Sequence, residues 1–257
     1  MGRFSGKSAV VTGAGRGLGR RIALQLVKEG AQVLALGRTL AKLEITAQQA
    51  AKTPGDGRLV IRACDLGIAE QVEEAFAEVE RAFGRLDILV NNAAIYDFFK
   101  VAESTPERIR ASIDANLYGP LLCVRAAVPM MIKSGGGDIV NVTSEAVRVP
   151  YSFLTVYAAT KAGLENLSQG LKMELRPDNI RVTALRLGSM DDDDREIKAD
   201  PQTLQRFVEE NGAALALGGS LMQYDTVAKA LADLLCLEGD ASFDFVELRP
   251  SGRRAPH

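Results

Sequence analysis

The stretch "VVTGAGRGLGRRIALQLVKEG", residues 10–30, constrains the fold of this chain more than any other. It sets a β-branched run, a glycine-rich turn and an amphipathic helical pattern in direct succession. Gly13, Gly17 and Gly19 permit a tight turn and close approach of backbone to a pyrophosphate. The helix that follows offers free N–H groups and the positive end of its dipole. A glycine pattern alone is weak evidence, but this one follows the first strand and opens a helix, the context such a motif requires. Nucleotide binding is expected, against the plainer reading of a glycine turn.

The rest of the chain repeats that unit. Strand-like runs recur at "KSAVVT", "AQVLAL", "RLVIRA", "LDILVNN", "GDIVNVTS", "IRVTALRL" and "FDFVEL". Helical periodicity lies between them over Gly17–Glu29, Leu40–Lys52, Ile68–Phe83, Pro106–Lys133 and Phe153–Leu175. Such alternation, without a run of hairpin signals, predicts an α/β fold with a doubly wound parallel sheet and helices on both faces. No linker or fixed-period repeat divides the 257 residues, so a single domain is expected. The segment from Gly188 to about Met222 breaks the rhythm with "DDDD" at 191–194, a short helical stretch after Pro201 and the pair Gly218–Gly219. It reads as a flap inserted over a ligand site (about 188–222), or as a loop without a role.

A formal charge of -2 gives no bulk attraction to nucleic acid or to a membrane surface. The first residues run straight into strand-like sequence without a signal-peptide core, and a cytoplasmic protein is expected. Cys64, Cys123 and Cys236 lie far apart among apolar neighbours and read as inert thiols, not as a disulfide framework or metal site. The one histidine is His257, at the very end. No Ser-His-Asp hydrolase, His-bound metal centre or His-based dehydrogenase fits this composition. Acid–base chemistry falls to a carboxylate, Tyr, Lys or Cys.

Two further stretches narrow the chemistry. The second strand ends "VLALGRT", with Gly37 where NAD-specific sites commonly place a carboxylate, and Arg38 next to it. A guanidinium without a competing carboxylate suits a 2′-phosphate, with Arg16 adding charge on the same side, so NADP(H) is expected over NAD(H). In "TVYAATKAGL", Tyr157 and Lys161 stand four apart and share a helix face. An ammonium beside a phenol favours the phenolate, which makes the tyrosine a candidate general acid/base. On spacing alone the pair is as easily a packing tyrosine and a solvated lysine.

It does not stand alone. Ser144 ends the strand "DIVNVTS", and with "TGAGRGLG", "CDL" at 64–66, "NNAA" at 91–94 and Asn116 in "DANLYG" the chain resembles the short-chain dehydrogenase/reductase family, classical type, over roughly residues 5–250. The resemblance implies a Rossmann-type seven-stranded sheet of order 3-2-1-4-5-6-7, assembled into homodimers or homotetramers. It implies Ser144 polarising a substrate carbonyl, Tyr157 as general acid/base, Lys161 on the nicotinamide ribose, and Asn116 holding a water that returns protons to Lys161. Gly13, Gly15, Arg16, Gly17 and Leu18 would cradle the diphosphate, with Arg38 at the adenosine end. Asp65 and Leu66 would meet the adenine, Asn92, Ala93 and Ala94 the adjoining ribose, and Gly188 and Met190 the nicotinamide side. Taken one by one, Ser144 reads equally as a strand-end turn residue, Asn116 as a helix polar group bonded to backbone, and Asp65 as a helix cap.

Some positions depart from the family pattern. Leu187 stands where a Pro precedes Gly188, and the Thr expected beyond it falls near Asp192. The ending "FDFVELRPSG" lacks the Asp-Gly-Gly of many members, which weakens a 3-oxoacyl thioester reductase. The function expected is an oxidoreductase passing hydride between NADP(H) and a carbonyl or secondary alcohol. The alternatives are the thioester reductase and a catalytically idle NADP(H)-binding sensor or scaffold. Phe98, Phe99, Tyr151, Phe153 and Met190 are expected to line an apolar or aromatic pocket between Ile95–Phe99, Glu145–Leu154 and the flap.

Overall fold

The computed structural model describes residues 1–191, 199–216, 221–238 and 240–251, the side chains of 213–216 excepted. Seven strands form one sheet: β1 (Ser8–Thr12), β2 (Gln32–Gly37), β3 (Arg58–Ala63), β4 (Ile88–Asn91), β5 (Gly137–Ser144), β6 (Ile180–Leu187) and β7 (Phe245–Leu248). Their order is 3-2-1-4-5-6-7 and every pairing is parallel. The chain winds outward from β1 in one direction through β3 and in the other through β7. The order reverses between β1 and β4, and in open sheets of this kind the carboxyl edge at that switch point is where ligands sit.

Among the described residues eight α-helices accompany the strands: α1 (Gly17–Lys28), α2 (Leu40–Ala50), α3 (Ala69–Phe83), α4 (Pro106–Ile113), α5 (Gly119–Lys133), α6 (Thr155–Leu175), α7 (Pro201–Ala216) and α8 (Tyr224–Leu235). Side chains of a strand alternate between faces, and β5 divides accordingly. Val140 and Val142 join the core built with α1 and α8, while Ile139 joins the opposite core with α3, α5 and α6. Because both faces are covered, all five residues of β1 are buried, which is why the strands read as apolar runs and not as alternating ones.

The helix pattern expected over Pro106–Lys133 is one rod with a defect. A π-helical turn, Asp114–Tyr118, joins α4 to α5 and buries Asn116 completely. Such turns insert an extra residue into the ladder and recur at functional sites. The rod is long and apolar enough to span a membrane, and it packs here against α3 and α6. The helix expected from Phe153 starts at Thr155 instead, because Phe153 takes a left-handed φ of 69°. Its carbonyl accepts from Phe99 N (3.0 Å) while its ring is buried. A phenylalanine in that region costs on the order of 1 kcal/mol, offset by tertiary contacts. The helix after Pro201, expected short, runs for 16 residues.

Candidate active site

The glycine turn is held from behind by side chains at the switch point. Thr12 Oγ1 donates to Val90 O (3.3 Å) and accepts from Asn92 N and Ala93 N (3.0 Å each). Asn92 Nδ2 donates back to Thr12 O (3.0 Å). The carboxyl ends of β1 and β4 are thereby locked together. A Cβ at Gly13 (φ 68°) would lie 2.8 Å from Ala93 Cα, and one at Gly19 would lie 2.3 Å from Gly13 O. No side chain fits at either place. Thr46 Oγ1 of α2 donates to Ala14 O (2.9 Å), and Arg20 of α1 donates to Gly15 O, so the carbonyls of the turn are tied back into the protein. Arg16 precedes α1 in extended backbone without a side-chain cap, which leaves the first-turn N–H groups to a ligand.

The adenosine side follows the adjoining strand ends. Arg38 is exposed just past β2 and forms no ion pair among the described residues. Asp65 is exposed beyond β3, where its Oδ1 accepts from Gly67 N (3.0 Å). This is a turn ahead of α3 and not the helix cap itself, since Ile68 occupies the cap position. Leu66 is buried beside Gly119, and Ala94 is exposed at the edge next to Asn92 and Ala93.

At the other end, β5, the π turn and α6 converge. Lys161 is 2% exposed and its Nζ donates to Val142 O (2.7 Å), two residues before Ser144. Burial pushes its ammonium down to about 8. An ammonium carries three donors, and this carbonyl is the one protein acceptor found for them among the described residues. Ser144 Oγ accepts from Ala146 N (3.2 Å), which fixes the hydroxyl at the strand end. Asn116 Oδ1 accepts from Ile95 N (2.7 Å), while its Nδ2 donates to Ile95 O (3.0 Å) and Thr160 Oγ1 (3.2 Å). Thr160 Oγ1 in turn donates to Tyr157 O (2.7 Å). Asn116, Thr160 and Tyr157 are therefore linked by hydrogen bonds, while Lys161, next to Thr160 on α6, is tied to the strand that ends in Ser144.

An aromatic wall closes over Tyr157. Its ring meets Tyr96 edge to face with centroids 4.8 Å apart, and Tyr96 meets Phe98 in the same way at 4.9 Å. Phe207 of α7 fits against Phe98 (4.8 Å) and lies 6.4 Å from both Tyr151 and Phe153. Polar contacts hold α7 there. Asn211 bonds both backbone groups of Ser152, Arg206 pairs with Glu103 through two contacts, and Glu210 pairs with Lys100 (2.7 Å).

The pocket expected from the sequence is corrected in two places. Phe99 turns toward α4 and packs under Arg108 at 4.8 Å, and Met190 packs into the α1/α8 core and bridges to Met222. Neither belongs to the aromatic cluster, whose missing member was Phe207. Cys64 and Cys123 are buried, whereas Cys236 is half-buried. Asp192, Asp193, Asp194, the pair Gly218–Gly219 and His257 lie outside the described residues. Gly188 is buried with Glu145 Oε2 3.2 Å from where its Cβ would be, and Ser189 Oγ donates to Glu145 (2.9 Å). Sequence reasoning missed Thr12, Thr46 and Thr160. Their signal was weak, because a hydroxyl acting on backbone has no spacing of its own.

The glycine cradle, the uncapped helix start and a buried ammonium short of acceptors fit a dinucleotide whose diphosphate and ribose would take up those donors. Comparison with known proteins agrees. The model of the short chain dehydrogenase family matches residues 7–202. An uncharacterised oxidoreductase of Staphylococcus aureus is 34% identical over 210 residues, covering 79% of this chain and 89% of its own. The crystal structure of a metagenomic short-chain oxidoreductase in complex with NADP superposes with a TM-score of 0.80 at 29% identity, covering 97% of this chain and 99% of the other. The carveol dehydrogenase of Mycobacterium avium in complex with NAD superposes with a TM-score of 0.84 at 27% identity, covering 96% and 97%.

Proposed function

This chain belongs to the short-chain dehydrogenase family, and from that premise we propose that it is a cytoplasmic, homo-oligomeric NADP(H)-dependent reductase or dehydrogenase of carbonyl and secondary alcohol substrates. The single observation that carries this reading is Lys161, an ammonium buried beneath the site with one backbone acceptor. A buried cation so under-satisfied is costly unless it serves a bound group.

A bound dinucleotide would supply the hydride. The turn from Gly13 to Leu18 and the start of α1 would hold its diphosphate. Arg38 and Arg16 favour the phosphorylated ribose, with Asp65, Leu66 and Asn92 to Ala94 along the adenosine and Gly188 and Met190 at the far end. Lys161 would donate to the nicotinamide ribose with the protons that Val142 leaves over. At neutral pH the ammonium is its dominant form, since burial lowers it only to about 8. That charge, one helical turn from Tyr157, stabilises the phenolate and makes its proton mobile. Tyr157 protonates the substrate oxygen in reduction and removes the proton in oxidation, while Ser144 hydrogen-bonds the same oxygen as charge develops. Asn116 fixes the π turn against Ile95 and Thr160 and would hold there a water that returns protons to Lys161. The segment 188–222 acts as a substrate flap, with Phe207, Tyr96 and Phe98 favouring apolar or aromatic carbonyl compounds.

NADPH consumption with a panel of ketones, aldehydes and quinones tests the reading. Tyr157→Phe should lower turnover by about 10²–10⁴-fold, the range for loss of a general acid, with NADPH affinity nearly unchanged. Equal rates for the two proteins would remove Tyr157 from the chemistry and leave a dinucleotide binder.

A further inference from the structure

Lys161 and Glu165 occupy positions i and i+4 on α6, the spacing at which a lysine and a glutamate ordinarily pair. Both are buried, at 2% and 8% exposure, yet no ion pair joins them. Glu165 is engaged elsewhere. Arg186 of β6 grips it through two parallel contacts, Nε to Oε1 (2.9 Å) and Nη2 to Oε2 (2.6 Å). Thr143 Oγ1 of β5 donates to the same Oε1 (2.7 Å). Val142, whose carbonyl takes Lys161, Thr143, which takes Glu165, and Ser144 are consecutive residues of β5.

We propose that Arg186 and Glu165 are positioning residues: the guanidinium commits the Glu165 carboxylate to the β5–β6 side, so that Lys161 stays aimed at the dinucleotide and α6 is fastened one residue before Ser144. The catalytic consequence rests on the reductase chemistry proposed above, whereas the pairing itself does not. A free carboxylate one turn away would draw the ammonium down the helix and raise its pKa. Burial instead pushes it down, to about 8.

The charged groups around this unit are few. Behind Arg186 stands Glu247 of β7 (3.7 Å), which also meets Arg148 (3.0 Å) and Arg249 (3.9 Å). Phe245 lies under the guanidinium at 4.6 Å. From β5 come a hydroxyl and a carbonyl, from the π turn the neutral Asn116, and from α6 itself Tyr157. Once Arg186 is removed, Lys161 is the one cation whose helical spacing suits Glu165.

The experiment is a pH titration of the Lys161 side-chain carbon resonance next to the ammonium, in the full chain without dinucleotide, with the signal assigned by its loss in Lys161→Met. Wild type and Glu165→Gln should titrate together near 8. Arg186→Met should titrate at least about one unit higher, and Glu165→Gln/Arg186→Met should return to the wild-type midpoint. A downward shift in Glu165→Gln would show that Glu165 already serves Lys161 and would overturn the proposal, a result that stands even if Arg186→Met fails to fold. An Arg186→Met midpoint equal to wild type would overturn it too. In turnover, Arg186→Met should lose at least about tenfold in kcat/KM for NADPH, with Arg186→Lys recovering part of it. Normal turnover beside a shifted midpoint would sink the catalytic consequence alone. A shifted midpoint in a protein inactive on every carbonyl tested would leave the pairing intact and count against the reductase reading.

Discussion

At the residue scale, the cost of function is concentrated in Lys161. Its folded-state pKa lies at about 8, below the 10.5 of a free lysine, because of burial. Below about pH 8 the ammonium is charged in both states and the full desolvation cost weighs on the fold. Between about 8 and 10.5 the folded protein releases this proton while the unfolded chain keeps it, so stability rises with pH in that window. Lys161→Met should therefore stabilise the apoprotein at neutral pH by roughly 1–3 kcal/mol and abolish reduction. It should also remove the extra gain between the two pH values. Urea unfolding of both proteins at neutral and alkaline pH measures this, and parallel pH curves would contradict it. Tyr157 and Lys161 were legible in the sequence from their spacing and their company. That Lys161 would be wholly buried on a backbone carbonyl was not, since helix spacing gives a direction and not a depth.

At the element scale, the strands and most helices follow from periodicity, and the failures share a cause. The π turn, the late start of α6 and the length of α7 are each set by tertiary contacts that leave no local pattern. Asn116 holds the π turn through Ile95, and Phe153 trades helical backbone for a seat among rings. Phe207 likewise explains why α7 lies where it does, 8% exposed against Phe98 with Leu204 packed beside it. If Phe207 is the anchor, Phe207→Ala should release α7 and leave the sheet untouched. Hydrogen exchange should quicken over 201–212 by about 10²-fold, the equivalent of a few kcal/mol of lost core contact, with β1 and β5 unchanged. KM for bulky apolar ketones should rise several-fold in the same variant. Uniform loss of protection across the molecule would instead make α7 part of the global core.

At the scale of the whole molecule, the two cores meet along the sheet, and the glycine turn sits where the winding reverses. A dinucleotide lying across that edge would touch the ends of β1, β2, β4, β5 and β6 together, so its binding energy would appear as stability of the entire fold. Ligand at about 100 times its Kd adds about 2.7 kcal/mol, which for a domain of this size raises Tm by roughly 5–11 °C. That stabilisation reads out cofactor choice without a known substrate. NADPH should raise Tm well above what NADH achieves at the same concentration. Arg38→Ser should erase most of that difference, because the exposed guanidinium past Gly37 is what the 2′-phosphate would meet. The same substitution should leave the NADH shift nearly intact, since the glycine turn, Thr12 and Asn92 are untouched. Equal shifts by both dinucleotides in the wild-type protein would assign Arg38 to solvent and remove the preference for NADP(H).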